Sequence, residues 1–409
     1  MARMSSGLSR ARLRRLTDAV NASVDKGEIA GMIALVERRG DTHIDIVGMQ
    51  DVERNIQMKR DTIFRLASIS KPITAAAAMI LVEEGKLRLE EPVDRLLPEL
   101  ANRKVLKRMD GPLDDVEPAK RPITVRDCLT FQLGYGWALG PPTPLQKAMV
   151  EAGFGMGGAP LAPDEWIKRL GALPLAHHPR EGILYHMGAE VLGVLIERAS
   201  GQSFADFLKE RLLEPLGMRD TGFSLSPRQI ERLASAYAFN PETRKLTLTE
   251  DAGNGRFASP PAFPSGGGGL VATVDDYLAF GRMMIGKGKL GNTRVLSRPS
   301  VEAMTRNYLG EKQLRNQGMF PAPFELPRAQ GWAPNIWEGR GWGLGMMVIT
   351  EALGPTYSVG RFGWDGGSGV MWWADPKEEM NMILMIQRGG GPGLLAADFL
   401  AFAYQAIED

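Results

Sequence analysis

The sequence predicts an α+β (α/β) fold, with one antiparallel sheet assembled from both ends of the chain, helices flanking it, and a mostly helical part inserted between. Three observations predict this. Strand-like segments lie near the start and in the last quarter of the 409 residues, and the middle reads mainly as helix. The strands at each end are joined by short turns, which suit antiparallel pairing better than βαβ crossovers.

From about residue 8 to 26, Leu13, Leu16 and Val20 recur at helical spacing, so an amphipathic helix is expected, with Arg10, Arg12, Arg14 and Arg15 on its solvated face. Residues 29–38 form an apolar run, Arg39-Gly40-Asp41 punctuates it, and 42–47 alternate with Ile44 and Ile46 on one face, which predicts a β-hairpin. A buried helix over 68–84 follows, apolar nearly all round, with Pro72 in its first turn and Gly85 past its end. The inserted part spans 87–261. It holds a loose Gly-, Pro- and Met-rich segment at 134–163, a helix over 191–199 closed by Gly201, and another over 204–213 stopped by Pro215 and Gly217. Strands return at 345–350, 370–374 and 380–387, and 394–407 reads as a closing helix. The sheet-bearing part is thus 16–86 plus 262–407, in one unit over 16–407.

Composition narrows the function. Lys and Arg number 49 against 48 Asp and Glu, so no global field gathers nucleic acid or an anionic membrane. No uncharged apolar stretch reaches the ~18 residues a membrane span needs. One cysteine, Cys128, excludes an internal disulfide and a thiolate metal site. The arginine-rich start is not followed by the apolar core of an export signal, so the expected location is the cytoplasm.

The strongest chemical signal is Phe64-Arg65-Leu66-Ala67-Ser68-Ile69-Ser70-Lys71-Pro72. Ser68 and Lys71, three apart at a helix start, share one face. A serine hydroxyl needs a base to become a nucleophile, and a desolvated lysine is such a base. Ser23-Val24-Asp25-Lys26 has the same spacing, but it sits at the polar end of a surface helix. Tyr185-His186-Met187-Gly188 would place a phenol at the head of another helix, where it could relay a proton. Gly363-Trp364-Asp365-Gly366-Gly367-Ser368-Gly369 precedes a strand, and its glycines would let a substrate lie along the edge with a backbone N–H toward an oxyanion.

These pieces, in this order, resemble the serine β-lactamase and penicillin-binding-protein superfamily, in its class C β-lactamase-like branch. Ile123-Thr124-Val125-Arg126-Asp127-Cys128-Leu129-Thr130, Glu214-Pro215-Leu216-Gly217, Pro264-Ser265-Gly266-Gly267-Gly268-Gly269-Leu270 and Gly341-Trp342-Gly343-Leu344-Gly345 are similar to that family too. The resemblance implies a β-lactamase-like fold, Ser68 as nucleophile, Lys71 as its base and Tyr185 as proton shuttle. It also implies an oxyanion hole from the N–H groups of Ser68 and Gly367. Trp364 and Gly366 would wall the substrate, with Tyr135 and Trp137 on the far side. Two departures set the branch. Met187 stands where the lactamases have the Asn of Tyr-x-Asn, and Trp364-Asp365-Gly366 stands for Lys-Thr-Gly. A tryptophan there is similar to family VIII carboxylesterases. Loss of the amide and the cation argues against efficient β-lactam or peptide cleavage.

Other signals are set aside. Gly153-Phe154-Gly155-Met156-Gly157-Gly158 follows no strand, so no dinucleotide site is expected. No Gly-x-Ser-x-Gly occurs, and His177, His178 and His186 lack a zinc-site spacing, so a structural or surface role is expected of them. No cofactor or metal is expected, and the partner is a small-molecule ester. The expected activity is a short-chain serine esterase. Acyl transfer, β-lactam hydrolysis, or a non-catalytic penicillin-interacting protein on the same fold are the alternatives.

Overall fold

Leu13, Leu16 and Val20 turn inward from α1 (Arg10–Asp25), and the Ser9 hydroxyl caps that helix by accepting the Arg12 N–H. The computed structural model describes residues 7–137, 142–156, 159–253, 255–311, 313, 336–356, 358–390 and 394–409. β1 (Gly31–Arg38) and β2 (Asp41–Asp51) form the expected hairpin, in register from Gly31 opposite Gly48 to Arg38 opposite Asp41. β3 (Ile56–Gln57) adds to its edge. The last quarter supplies β4 (Arg340–Trp342), β5 (Met347–Ile349), β6 (Phe362–Asp365), β7 (Met371–Asp375) and β8 (Met380–Ile386).

The eight strands run in the order β4-β5-β6-β7-β8-β1-β2-β3, all antiparallel. The two ends of the chain meet at β1 and β8, from Met32 opposite Ile386 to Arg38 opposite Met380. One sheet built from both termini is therefore present. β1, β7 and β8 are buried along their whole length because both faces are covered. Adjacent tryptophans of β7 show this. Trp372 packs on Tyr277 and Phe280, whereas Trp373 meets Arg361, which also lies over Tyr404.

Three further helices frame the site, and a fourth backs the sheet. α2 (Ser70–Glu83) is buried from Ser70 to Leu81. α3 (Met187–Ser200) packs against it and ends at left-handed Gly201. α4 (Val274–Ile285) lies on the Trp372 face, and α5 (Leu394–Gln405) packs with α1 on the other. The sequence reading starts the second helix at residue 68. The structure instead forms a 3₁₀ turn, Ala67–Ile69, before α2, because Ala67 takes a left-handed φ of 44° and the chain enters the helix sharply.

Between the two sheet-forming stretches, Phe204–Leu208 runs on through Lys209–Leu213 to Glu214–Leu216 and stops at left-handed Gly217. Short strand pairs also occur there, among them Lys104–Leu106 with Val116–Pro118 and Ala236–Asn240 with Lys245–Glu250. The segment expected to be loose holds a helix, Pro144–Glu151, begun by reciprocal Thr143 and Gln146 bonds. Its residues 138–141 and 157–158 lie outside the described residues.

Candidate active site

The turn that carries Ser68 is fixed from several sides. Leu66 N–H donates to the Leu270 carbonyl at 2.9 Å, and the Tyr277 hydroxyl of α4 donates to the Ile69 carbonyl at 2.7 Å. Ser368 Oγ, in the turn after β6, donates to the Arg65 carbonyl at 2.6 Å. A left-handed alanine costs of order 1–3 kcal/mol, and these contacts hold it in place. Ser70, the other serine of the motif, is fully buried and accepts the Leu270 N–H, so only Ser68 keeps partial access.

Lys71, 1% exposed, points back along the first turn. Its Nζ lies 2.9 Å from Ser68 Oγ, 2.5 Å from the Gly267 carbonyl oxygen and 3.2 Å from His186 Nδ1. Burial lowers the ammonium from 10.5 to about 7, against an opposing upward pull from Glu190. At neutral pH a large share of Lys71 is therefore a free amine with a hydroxyl in reach.

Tyr185 stands at the head of α3 inside an aromatic frame. Phe131 meets it edge-on at 5.3 Å, Trp364 at 5.7 Å and Trp342 at 6.4 Å between ring centroids. Lys71 Nζ lies 4.5 Å from its ring centre. The Trp364 indole N–H donates to the Tyr185 hydroxyl at 2.5 Å. Burial pushes the phenol well above its ordinary value, and its hydrogen bonds with Ser68 and Trp364 only partly offset this. Tyr185 thus stays protonated where Lys71 does not.

The other expected residues are distributed as follows. Gly366 backs onto the Leu66 carbonyl, so the turn after β6 abuts the lead-in to Ser68, and Gly367 faces open space. Trp137 is partly exposed and its backbone N–H donates to the Tyr185 carbonyl at 3.0 Å. Tyr135 is fully buried, and its hydroxyl donates to the Leu173 carbonyl at 2.7 Å. Asp365 accepts the Trp373 indole N–H, and burial raises its carboxyl.

The sequence reading missed His186 and Glu190. His186 enters α3 at a φ of 85°, and its buried ring sits between Lys71 and Glu190, whose Oε1 lies 2.9 Å from His186 Nε2. Ser265 Oγ donates to Glu190 Oε1 at 2.6 Å and Gly267 N–H to Oε2 at 3.3 Å. The readable signal was a histidine and a glutamate four apart at a helix head. His177 Nδ1 instead contacts the His178 carbonyl, and His178 pairs with Glu117. Among the described residues no group of three or more His, Cys, Asp or Glu is placed to hold a metal.

The cluster unites an accessible alcohol, an amine that is neutral near pH 7, and a protonated phenol, which is the equipment for acyl transfer through a serine ester. Residues 16–405 match the Beta-lactamase family. Protein Rv1367c of Mycobacterium tuberculosis is 37% identical over 370 residues, covering 89% of this chain and 87% of its own length. Esterase EstB of Burkholderia gladioli is 31% identical over 394 residues, covering 91% of this chain and 89% of its own. The solved structure of EstCE1, described as a hydrolase with promiscuous acyltransferase activity, is alike in fold, with a TM-score of 0.78 over 97% of this chain and 99% of that one at 23% identity. Among the described residues no helix is long and apolar enough to cross a membrane. The chain belongs to the beta-lactamase family, as a serine hydrolase resembling the family VIII carboxylesterases.

Proposed function

We propose that the protein hydrolyses short-chain, uncharged carboxylic esters through an acyl-enzyme on Ser68. The observation that carries this is Lys71 Nζ, held near neutrality by burial, 2.9 Å from Ser68 Oγ. As Ser68 Oγ bonds to the ester carbonyl carbon, its proton passes to Lys71. The oxyanion forms between the N–H groups of Ser68 and Gly367. Tyr185, still protonated, gives its proton to the departing alkoxide, the C–O bond breaks, and the acyl group stays on Ser68. Lys71 hands the proton it took from Ser68 on to the Tyr185 oxygen and is a free amine again. Water then attacks the ester as its proton passes to Lys71, Tyr185 gives its proton to Ser68 Oγ as the acid leaves, and Lys71 reprotonates Tyr185.

The substrate class rests on the edge strand. Trp364 is 5% exposed and turned to Tyr185, so apolar indole surface stands where a lysine would meet a substrate carboxylate. Desolvating a carboxylate beside it, with one charged hydrogen bond missing, costs ~1.5–3 kcal/mol, about one to two decades in kcat/KM. The tested outcome is the ratio of kcat/KM for p-nitrophenyl butyrate to that for nitrocefin, expected to be at least about a hundredfold. Equal efficiency on both would replace the esterase reading with a lactamase one.

A further inference from the structure

Around Lys71 the buried groups close a ring. Lys71 Nζ contacts His186 Nδ1 and the Gly267 carbonyl, His186 Nε2 faces Glu190, and Glu190 accepts the N–H of the same Gly267. His186, Glu190 and Lys71 are each at most 2% exposed. A glycine is required at 267, because a Cβ there would stand 2.7 Å from His186 Cε1 and 2.8 Å from Glu190 Oε1. The left-handed backbone at His186 aims the imidazole into this ring.

We propose that His186 and Glu190 are positioning residues that order the protons on Lys71 so that its lone pair faces Ser68. The Glu190 carboxylate, 2.9 Å from Nε2, draws the imidazole proton to that nitrogen electrostatically, and Nδ1 becomes an acceptor. A neutral amine has two N–H groups and one lone pair. The Gly267 carbonyl oxygen accepts one N–H and Nδ1 the other. Ser68 Oγ, the third neighbour, is left opposite the lone pair and donates. Once Lys71 has taken the serine proton, all three neighbours accept from the ammonium, and the Glu190 charge two links away favours it. Desolvation of the imidazole holds His186 neutral against the opposing pull of Glu190, as this scheme needs.

The inference rests on the acyl-enzyme reading and adds to it. Its test compares kcat and KM for p-nitrophenyl butyrate from pH 5 to 10 in wild type, Ser68→Ala, His186→Leu, His186→Asn and Glu190→Gln, with each fold checked by circular dichroism. The ionisable neighbours facing Lys71 are Glu190 of α3 and His186 and Tyr185 just before it, with Asp365 beyond Tyr185. His186→Leu is expected to lower kcat by about thirtyfold or more with KM within about threefold. His186→Asn, whose Oδ1 can take the place of Nδ1, should recover most of that loss. Glu190→Gln removes a charge that favours the ammonium, so the acid limb should move down by at least about half a pH unit. The proposal is overturned if the two His186 variants behave alike, or if the Glu190→Gln limb does not move. Should His186→Leu fail to fold, the His186→Asn rate and the Glu190→Gln limb decide it. Activity persisting in Ser68→Ala would instead mark failure of the acyl-enzyme reading.

Discussion

Lys71 has an alcohol, an imidazole and a carbonyl in direct contact, and its nearest carboxylate, Glu190, is reached only through His186 or Gly267. That arrangement explains why burial outweighs charge and the amine sits at about 7 rather than 10.5. The sign of the pH dependence follows. Only the free amine accepts the Ser68 proton, so kcat/KM should rise with pH through an apparent midpoint near 7 and then level off. Tyr185, raised by burial, should keep its proton past the ordinary tyrosine range, so no loss is expected up to pH 10. A kcat/KM profile flat from pH 5 to 10 would contradict the assignment of Lys71 as base.

At the scale of the element, α2 and α3 must approach closely enough for Lys71 to reach the head of α3. Gly188 sets how closely that head lies against residues 128–131, since a Cβ there would stand 2.1 Å from the Cys128 carbonyl oxygen and 2.9 Å from the Phe131 ring. Gly188→Ala is therefore expected to cost about 1–3 kcal/mol by overpacking and to lower both melting temperature and kcat, because the displaced segment carries Tyr185 and His186. An unchanged melting curve would show that the helix head tolerates displacement. Elements of this length were legible where a period had room to repeat: Leu13, Leu16 and Val20 on α1, and the near-continuous apolar run of α2. β4 and β6, of three and four residues, are too short to show alternation. α4 was missed although Thr273 stands three before Asp276 and caps its N–H. The site shows the same division. Ser68 and Lys71 are neighbours in sequence and were readable. Lys71 and His186 are 115 residues apart, and only the packing of α3 on α2 joins them.

Across the whole molecule the sheet separates chemistry from support. Trp372 and α4 lie on the face that anchors the Ser68 turn through Tyr277, while Trp373, α5 and α1 lie on the other. Phe399 of α5 is fully buried, and Phe399→Ala should cost about 3–5 kcal/mol, read as a melting temperature lower by several degrees. The folded fraction should keep kcat within about twofold, since the cavity lies across the sheet from Ser68; a large fall in kcat at unchanged stability would mean the two faces are coupled. The two ends of the chain meet at β1 and β8, so the sheet that holds Trp364 beside Tyr185 closes only when the termini come together. All of this places one alcohol in reach of a neutral amine. The most direct measurement is p-nitrophenyl butyrate turnover by Ser68→Ala, with Ser70→Ala as companion and folding verified by circular dichroism. Ser68→Ala is expected to lower kcat by at least about a thousandfold and to lose any acyl adduct seen by intact mass, with Ser70→Ala retaining the adduct. Wild-type turnover in a folded Ser68→Ala protein would rule out Ser68 as the nucleophile.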